Sequence, residues 1–480
     1  MSVDYDLVII GSSLAGIQAA IAAASLKARV ALVEQQVSPA TPPESVRDRA
    51  LIDLGHKFES LQRIQHLSLW QMASPGGAAV QWNGVQQWTG AIAANVEASR
   101  SLVALATLGI DVIPSSGEFC RKPFPGFTVD GRLLQARAYL ITTGSRALVP
   151  AINGLQATGY LTPETVLQAN LQTINRLVVI GGGVEAIAIA QALNRLGLRI
   201  TVIVQGSHIL TDADPEAAHL VQAQLEAEGI QILTHAEVSQ VRSIQGKKWV
   251  QIGNQAIEAD DILVAVGHSP NVESLNLDAV KVQWSCQGIP HNDKLQTTNP
   301  RIYACEGRIG NHCHAHVAAY EAGVATKNAL FLPIFKATDR RIPRVVFSQP
   351  EIAWIGLTEP QAVQQHGKQV QILQRSFNTL TRAQIRSDLT GFCKLIVHRN
   401  GRLLGAHLVG AQSSEWVSAI AIAVQQNFKI QSLARLTLPS PTLSEIIQQT
   451  ATDWQHLRLK QNHRLQDGLD WFFDLRRQLD

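Results

Sequence analysis

Apolar positions follow the same order twice along the chain. The first copy starts with residues 4–10, an almost wholly apolar run that is typical of a buried parallel strand. A turn that begins at Gly11, a helix of small residues at 17–26 and a strand at 29–33 follow, and the copy ends in Glu34. This order predicts a strand–turn–helix–strand unit of the dinucleotide-binding type.

The first unit carries the residues that a bound dinucleotide requires. Gly11 permits the tight turn, Gly16 lets the helix approach the sheet, and the helix N-terminus offers free N–H groups to a pyrophosphate. Glu34 stands where a carboxylate can hold the hydroxyl pair of a ribose. Ser13 replaces the central glycine of the pattern, and its hydroxyl can donate to phosphate. We therefore predict that this unit binds an adenine dinucleotide.

The second copy covers residues 176–204, with Gly181 and Gly183 in its turn. Ala186 replaces the last glycine, which the pattern tolerates. The second strand of this copy leads into Gln205 instead of an acid, and no arginine cluster follows that could hold an NADP phosphate. The sequence predicts the fold of a second nucleotide-binding unit and leaves open whether a nicotinamide nucleotide binds there.

The composition fits a soluble protein with large cores. The 480 residues are 46% apolar and 16% charged, which is enough chain for about three domains. The net charge of +3 is too small to indicate nucleic acid binding. No apolar run has the length of a membrane span, and no signal peptide is predicted. The five cysteines are scattered, which favours a reducing compartment and hence the cytoplasm.

Several further segments match the motifs of one enzyme family in the right order. They are 143–146 with Pro150 and Gly154, 265–271, Thr297 with 302–304, Phe347 with 350–351, 356–359, and 441–442 with 444–445. Together with the two nucleotide units, they resemble the pyridine nucleotide-disulfide oxidoreductases, which include lipoamide dehydrogenase, glutathione reductase and mercuric reductase.

The resemblance implies an α/β fold with two Rossmann-like dinucleotide-binding domains and a C-terminal α+β interface domain. The implied divisions are an FAD-binding domain at 1–150 and 276–340, an NAD(P)-binding-like domain at 151–275, an interface or dimerisation domain at 341–450, and a helical tail at 451–480. A homodimer is also implied, because the family completes each active site with a C-terminal loop from the partner.

The residues expected to contact each cofactor follow from the same resemblance. For FAD they are Gly11, Ser13, Leu14, Ala15, Gly16, Glu34, Thr143, Gly144, Glu306, Gly307, His316 and Val317. For NAD(P)H they are Gly181, Gly183, Val184, Gln205 and Gly267. Glu306 and Gly307 replace the glycine and aspartate with which the family holds the flavin ribityl chain. His316 lies near the start of a helix whose N-terminus faces the flavin in the family.

The redox machinery of the family is missing at the matching positions. Its two cysteines fall on Ala40 and Ser45, and disulfide exchange requires a thiolate. Its histidine acid–base falls on Ser440, although Glu445, the carboxylate that orients this histidine, is retained. The family's acid near the nicotinamide falls on Ala188. In segment 265–271, where the family's chain crosses back to the FAD domain, His268 stands where an arginine is common. We therefore predict a flavoprotein that lacks dithiol chemistry.

Two other segments invite a functional interpretation. Residues 312–316 read His-Cys-His-Ala-His, but a spacing of two places ligands on opposite sides of a helix, so no metal site is predicted. Leu465, Leu469, Phe472 and Phe473 recur at helical spacing in the tail. Packing on the dimer is favoured for this helix, because nearby aspartates disfavour an anionic membrane, and a membrane contact is the alternative.

The leading hypothesis is a cytoplasmic FAD oxidoreductase that passes electrons from the flavin to an unknown small-molecule or protein acceptor. Reduced nicotinamide nucleotide is one candidate donor. The first alternative is a non-catalytic flavoprotein scaffold or redox sensor. The second is a peripheral NAD(P)H:quinone reductase that uses the tail as its membrane contact.

Overall fold

The computed structural model describes residues 3–35, 46–66, 80–98, 102–121, 125–305, 315–338 and 341–479. The chain forms two compact units. Unit one comprises Met1–Leu210 and Leu225–Asp339, and unit two comprises Thr211–Gln224 and Arg340–Asp480. The finer division into three domains and a tail stays a prediction.

The described residues form 22 strands and 15 α-helices. The strands are β1 (Tyr5–Ile10), β2 (Val30–Val33), β3 (Asp111–Ile113), β4 (Gly117–Cys120), β5 (Gly126–Val129), β6 (Arg132–Leu134), β7 (Ala136–Ile141), β8 (Ser145–Ala147), β9 (Arg176–Ile180), β10 (Arg199–Ile203), β11 (Gln231–Leu233), β12 (Val238–Ile244), β13 (Lys247–Ile252), β14 (Gln255–Ala259), β15 (Asp261–Val264), β16 (His268–Pro270), β17 (Ile302–Ala304), β18 (Arg344–Val346), β19 (Glu351–Gly356), β20 (Val370–Ser376), β21 (Phe392–His398) and β22 (Leu403–Gly410). The α-helices are α1 (Leu14–Ser25), α2 (Val46–His66), α3 (Trp82–Ala98), α4 (Leu102–Thr107), α5 (Leu155–Thr158), α6 (Pro163–Val166), α7 (Val184–Arg195), α8 (Pro215–Ala227), α9 (Ala315–Leu330), α10 (Glu359–His366), α11 (Thr381–Arg386), α12 (Ser413–Gln425), α13 (Ile430–Ala434), α14 (Glu445–Gln461) and α15 (His463–Leu479).

Unit one contains the first predicted nucleotide-binding sheet, a parallel sheet in the order β17-β7-β1-β2-β3. Strand β1 lies at its centre, and Leu7 and Ile10 are fully buried because both faces of the sheet are covered. Helix α1 presents small residues such as Ala19 and Ala23 to the buried side, so it packs closely beside α9. An antiparallel sheet, β4-β5-β6, belongs to the same unit.

The second predicted nucleotide-binding sheet, also in unit one, is parallel with the order β11-β10-β9-β15. Strands β12, β13 and β14 form an antiparallel sheet beside it. Segments 143–146 and 265–271, which resemble the family's two chain crossings between its nucleotide-binding domains, contain the start of β8 and the whole of β16, and these strands form an antiparallel pair. Arg146 anchors this pair through hydrogen bonds to Asn271 at 3.1 Å and to Glu273 at 2.6 Å.

Unit two is built on an antiparallel sheet in the order β18-β19-β22-β21-β20. Helices α12 and α14 cover it, and Phe377 and Trp454 fill the core. The tail helix α15 ends this unit, and each of its described large apolar side chains is exposed, including Trp471 at 67%. No described helix is long and apolar enough to cross a membrane.

A buried lysine ties residues 211–224 into unit two. The side chain of Lys394 on β21 is only 4% exposed and pairs with Asp214, Glu216 and Glu359 at 3.0, 2.9 and 2.7 Å. Burial favours the neutral amine, but hydrogen bonds to the three carboxylates raise the pKa of Lys394 above its ordinary value. The lysine is therefore charged, and its charge is compensated locally.

Candidate active site

The first nucleotide-binding turn has the geometry that a pyrophosphate needs. Gly11 has a φ of +109°, and a Cβ on it would lie 2.3 Å from the carbonyl oxygen of Thr142. A Cβ on Gly16 would lie 2.1 Å from the carbonyl oxygen of Gly11. Both positions therefore require glycine, and Leu14 and Ala15 follow the turn as the first residues of α1.

Ser13 is the N-cap of α1. Its hydroxyl oxygen accepts a hydrogen bond from the backbone N–H of Gly16 at 3.3 Å, which explains why the helix begins at Leu14, earlier than the predicted residue 17. The next free N–H groups of the helix lie at the turn. A serine in place of the central glycine is thus compatible with a helix N-terminus directed at an anion.

Glu34 and the residues after β7 surround the same turn. The half-buried Glu34 directly follows β2, whose Val33 carbonyl accepts the Gly11 N–H at 2.9 Å. The Thr142 hydroxyl donates to the Gly11 carbonyl at 2.9 Å, and Asn271 fixes the carbonyls of Thr143 and Gly144. This arrangement fits the adenosine and pyrophosphate portions of FAD, because a carboxylate, glycine backbone and a helix N-terminus converge.

The flavin end of the predicted site is described only in part. His316 is exposed and Val317 is half-buried in the first turn of α9, which packs beside α1. Glu306 and Gly307, the candidates for the ribityl chain, lie outside the described residues, as do His312 and His314. Among the described residues, no group of three or more His, Cys, Asp or Glu side chains could hold a metal ion.

The second turn repeats the backbone of the first. Gly181 has a φ of +125°, and a Cβ on it would lie 2.1 Å from the carbonyl oxygen of Ala265. Gly183 is the N-cap of α7, Val184 is the first residue of that helix, and Gly267 lies across the turn beside β16. Gln205 is exposed just after β10, at the position where the dinucleotide-binding motif has a ribose-binding acid.

Two acids that the sequence reasoning did not select lie beside the second turn. The side chain of His268 is 9% exposed, and its Nε2 lies 3.5 Å from Oε2 of Glu185, in the first turn of α7. Glu164 accepts a hydrogen bond from the backbone N–H of Ala147, the strand partner of His268, at 3.1 Å. Burial lowers the pKa of His268, and the charge of Glu164 opposes this effect. Glu185 was missed because the family motif has its acid at the position of Ala188.

The positions at which the sequence predicts the family's redox machinery to be missing have different surroundings. Ala188 is 3% exposed in α7. Ser440 is exposed in unit two, and Oε2 of Glu445 accepts the backbone N–H of Thr442 at 2.8 Å. Glu445 therefore holds the loop before α14, as a loop anchor would. Ala40 and Ser45 lie outside the described residues.

Family models match both parts of the chain. Residues 5–322 match the pyridine nucleotide-disulphide oxidoreductase model, and residues 342–451 match the dimerisation domain of the same family. The chain therefore belongs to the pyridine nucleotide-disulphide oxidoreductase family, as its motifs indicated. The fold prediction, an α/β fold with FAD/NAD-binding and C-terminal dimerisation domains, is confirmed.

Individual relatives place the chain within this family. It is 31% identical over 451 residues to a mercuric reductase of Staphylococcus aureus, covering 92% of this chain and 81% of that protein. It is 26% identical over 463 residues to a dihydrolipoyl dehydrogenase of Bacillus subtilis, covering 92% and 96% respectively. The crystal structure of LpdA from Mycobacterium tuberculosis matches with a TM-score of 0.83 at 23% identity, over 93% of this chain and 99% of that chain, which supports the fold.

Proposed function

We propose that this protein is an FAD-dependent oxidoreductase that takes electrons from a reduced nicotinamide nucleotide and delivers them without a dithiol. FAD, when bound, would supply hydride acceptance and the return of two electrons to a diffusible acceptor such as a quinone, O₂ or a metal ion. One combination carries the proposal. The Gly11 turn fits a dinucleotide, yet the sequence has Ala40 and Ser45 where the family has its redox cysteines.

The chain's own residues would bind and orient the cofactor. Glu34 would accept hydrogen bonds from the adenosine ribose, and the N-terminus of α1 would bind the pyrophosphate. The N-terminus of α9, with His316 and Val317, would favour negative charge on the flavin. These roles require hydrogen bonding and dipoles but no sulfur.

The cysteines of the described residues support the absence of thiol chemistry. Cys120, Cys286, Cys305 and Cys393 form no disulfide bond. Cys393 is fully buried in unit two, and burial raises the pKa of its thiol to about 12. A thiol with such a pKa is not a nucleophile at neutral pH. The scattered cysteines without disulfide bonds among the described residues also support our proposal of a cytoplasmic location.

Anaerobic titration of the purified protein tests the proposal. We expect yellow protein whose flavin band bleaches with NADH or NADPH and returns when a quinone is added. Alkylation with iodoacetamide after reduction should leave the reoxidation rate unchanged, whereas the same treatment should inactivate a dithiol-containing lipoamide dehydrogenase used as the control. Protein that stays colourless with excess FAD, or that alkylation inactivates, would contradict the proposal.

The same titration separates an enzyme from a sensor. A yellow protein that neither nucleotide bleaches would favour the non-catalytic scaffold or redox sensor. We also propose that the protein is a homodimer, and the match of residues 342–451 to the dimerisation domain supports this state. Sedimentation equilibrium would measure it, and a mass near the 52.2 kDa of one chain would contradict it.

A second candidate, a peripheral quinone reductase, is favoured by helix α15. Trp471, Phe472 and Phe473 are 67%, 48% and 47% exposed, although most helical stability in proteins comes from packing of the apolar face. Co-sedimentation with phosphatidylcholine vesicles would support this candidate if the Phe472→Ser, Phe473→Ser double variant stays in solution. Equal partitioning of the two proteins would exclude α15 as a membrane contact.

A further inference from the structure

We propose that Glu185 binds the carboxamide of the nicotinamide ring, and that His268 positions the Glu185 carboxylate for this contact. The assignment rests on the proposed nicotinamide donor. It gives the second nucleotide unit an acid one helical turn before Ala188, where the family's acid is absent. Residues three apart share one face of a helix. The Glu185 carboxylate therefore lies on the same helix face as the family's acid position, Ala188, but one turn earlier.

The topology determines which half of a dinucleotide Glu185 would meet. A dinucleotide crosses the N-terminus of the helix that follows the glycine turn, with its adenosine beside the end of the second strand. In the second nucleotide-binding unit, that strand is β10, which leads into Gln205. The other half of the ligand must extend towards β15 on the opposite side of β9. Glu185 points to this side, because its carboxylate approaches His268, which follows the end of β15 by four residues.

Charge and hydrogen-bonding chemistry then select the group that Glu185 contacts. A carboxylate repels the pyrophosphate and accepts hydrogen bonds from N–H and O–H donors. The carboxamide NH₂ group is such a donor at the nicotinamide end. The side chain of Glu185 is 25% exposed, so it can reach a ligand. The exposed Gln205 offers no carboxylate to the adenosine end, which makes contacts at the nicotinamide end more important for affinity.

His268 is placed to fix Glu185 and is too enclosed to contact the ligand. Its Nε2 is buried and has no hydrogen-bond partner, although Oε2 of Glu185 lies 3.5 Å away. A buried polar atom without a partner is costly, so a small shift that closes this gap is favourable. Strand β16 holds the His268 backbone against Ala147, and Glu164 accepts the Ala147 N–H. His268 is thus a positioning residue with a rigid support.

Equilibrium binding to the oxidised holoprotein tests both roles without turnover. The probes are NAD⁺, its 3-acetylpyridine analogue, which keeps the carbonyl but lacks the NH₂ group, and ADP-ribose, which lacks the ring. Calorimetry should show that the wild type binds NAD⁺ about tenfold or more tightly than the analogue, the loss expected for one hydrogen bond to a charged group. NADP⁺ and its 3-acetylpyridine analogue are compared in the same way.

The variants separate recognition from structure. Glu185→Met should abolish the preference for NAD⁺ and leave ADP-ribose affinity unchanged, whereas Glu185→Gln, which keeps an acceptor oxygen, should retain part of it. His268→Leu should reduce the preference, and His268→Gln, which keeps a donor near Nε2, should restore part of it. Glu237→Met is the matched control, because it changes an exposed acid elsewhere in unit one.

The outcomes distinguish this inference from the proposed function. If the wild type binds neither NAD⁺ nor NADP⁺, the proposed nicotinamide electron donor is wrong, and the assignment of Glu185 is wrong with it. If NAD⁺ binds but Glu185→Met keeps the full preference over the analogue, only the assignment is wrong. Equal weakening of NAD⁺ and its analogue by Glu185→Met would identify the ribose hydroxyls, and not the carboxamide, as the partner of Glu185 and would overturn the assignment.

Discussion

The two nucleotide-binding units of this chain share one backbone design and differ in their side chains. In each, a glycine with positive φ lies against a carbonyl of the neighbouring crossing segment, Thr142 for Gly11 and Ala265 for Gly181. The first unit has an acid at the end of its second strand, Glu34, and the second unit has Gln205. The comparison shows that both turns pack against a neighbouring carbonyl while the side chains at their strand ends differ, and we expect these side chains to select the ligand.

Replacement of Gly11 should have the largest effect. Gly11→Ala places a Cβ 2.3 Å from the Thr142 carbonyl oxygen at a φ of +109°, so the turn must move. We expect loss of most bound FAD and a decrease of roughly 2–5 kcal/mol in the free energy of unfolding. The ratio of flavin to protein absorbance and denaturant unfolding measure the two effects.

Gly109→Ala is the matched control for this change. Gly109 also has a positive φ, +81°, but a Cβ there would meet nothing within 4 Å. Only the backbone strain of about 1–2 kcal/mol is expected, with full FAD content. A Gly11→Ala protein with the same FAD content as Gly109→Ala would show that the first turn does not hold the cofactor.

The same change in the second nucleotide-binding unit should lower stability in the same way, but it should affect the nicotinamide nucleotide and leave the FAD content unchanged. Gly181→Ala places a Cβ 2.1 Å from the Ala265 carbonyl oxygen. We expect yellow protein in which NAD(P)H bleaches the flavin at least tenfold more slowly, a loss of about 1.4 kcal/mol or more. Stopped-flow absorbance at the flavin band measures this rate. An unchanged rate in folded, FAD-containing protein would mean that the second turn takes no part in electron entry.

The contact between α2 and α7 should make stability depend on pH. A Cβ on Gly55 would lie 3.0 Å from Ala192, and burial beside Arg195 lowers the pKa of His56 to about 4, against opposing effects of Asp53 and Glu228. A histidine with a lowered pKa in the folded state supports stability above its unfolded pKa of about 6.5, and this support is lost as the pH falls towards 4.

His56→Gln tests this dependence. Through His56, the free energy of unfolding of the wild type should fall by up to about 3 kcal/mol between pH 7 and pH 4. The free energy of unfolding of the variant should fall less over the same pH range. Urea unfolding at several pH values measures it. His463→Gln, at an exposed position of the tail, is the control. Parallel pH profiles for the wild type and His56→Gln would contradict the assignment.

Exchange of the strand-end residues is the most direct test of the comparison. Glu34→Gln should weaken FAD binding about tenfold or more, because a charge-assisted hydrogen bond to the ribose is lost. Gln205→Glu should strengthen NADH binding several-fold, whereas Gln205→Ala should leave it unchanged. Fluorescence titration of each apoprotein or holoprotein gives these affinities. No gain from Gln205→Glu would show that the ribose lies elsewhere.

The sequence predicted the repeated units well because glycine turns and apolar strands are local signals. The apolar pattern predicts a strand at 177–180 and a helix at 184–196, and β9 and α7 lie within one residue of these bounds. The start of α1 was placed three residues late, since the Ser13 cap was not recognised. Contacts between distant segments gave no such signal. Glu185 meets His268, and Glu164 meets Ala147, only because the crossing strands bring these segments together.

The cluster around Lys394 has a consequence for how the polypeptide matures. Asp214 and Lys394 are 180 positions apart, so the acid leaves the ribosome long before the amine that it will meet. A fragment that begins at residue 340 would contain the lysine and Glu359 but neither Asp214 nor Glu216. One carboxylate in place of three would leave the ammonium group of the buried lysine poorly compensated. We therefore expect the C-terminal portion to require the upstream segment, and a separately expressed fragment to be collapsed but poorly packed.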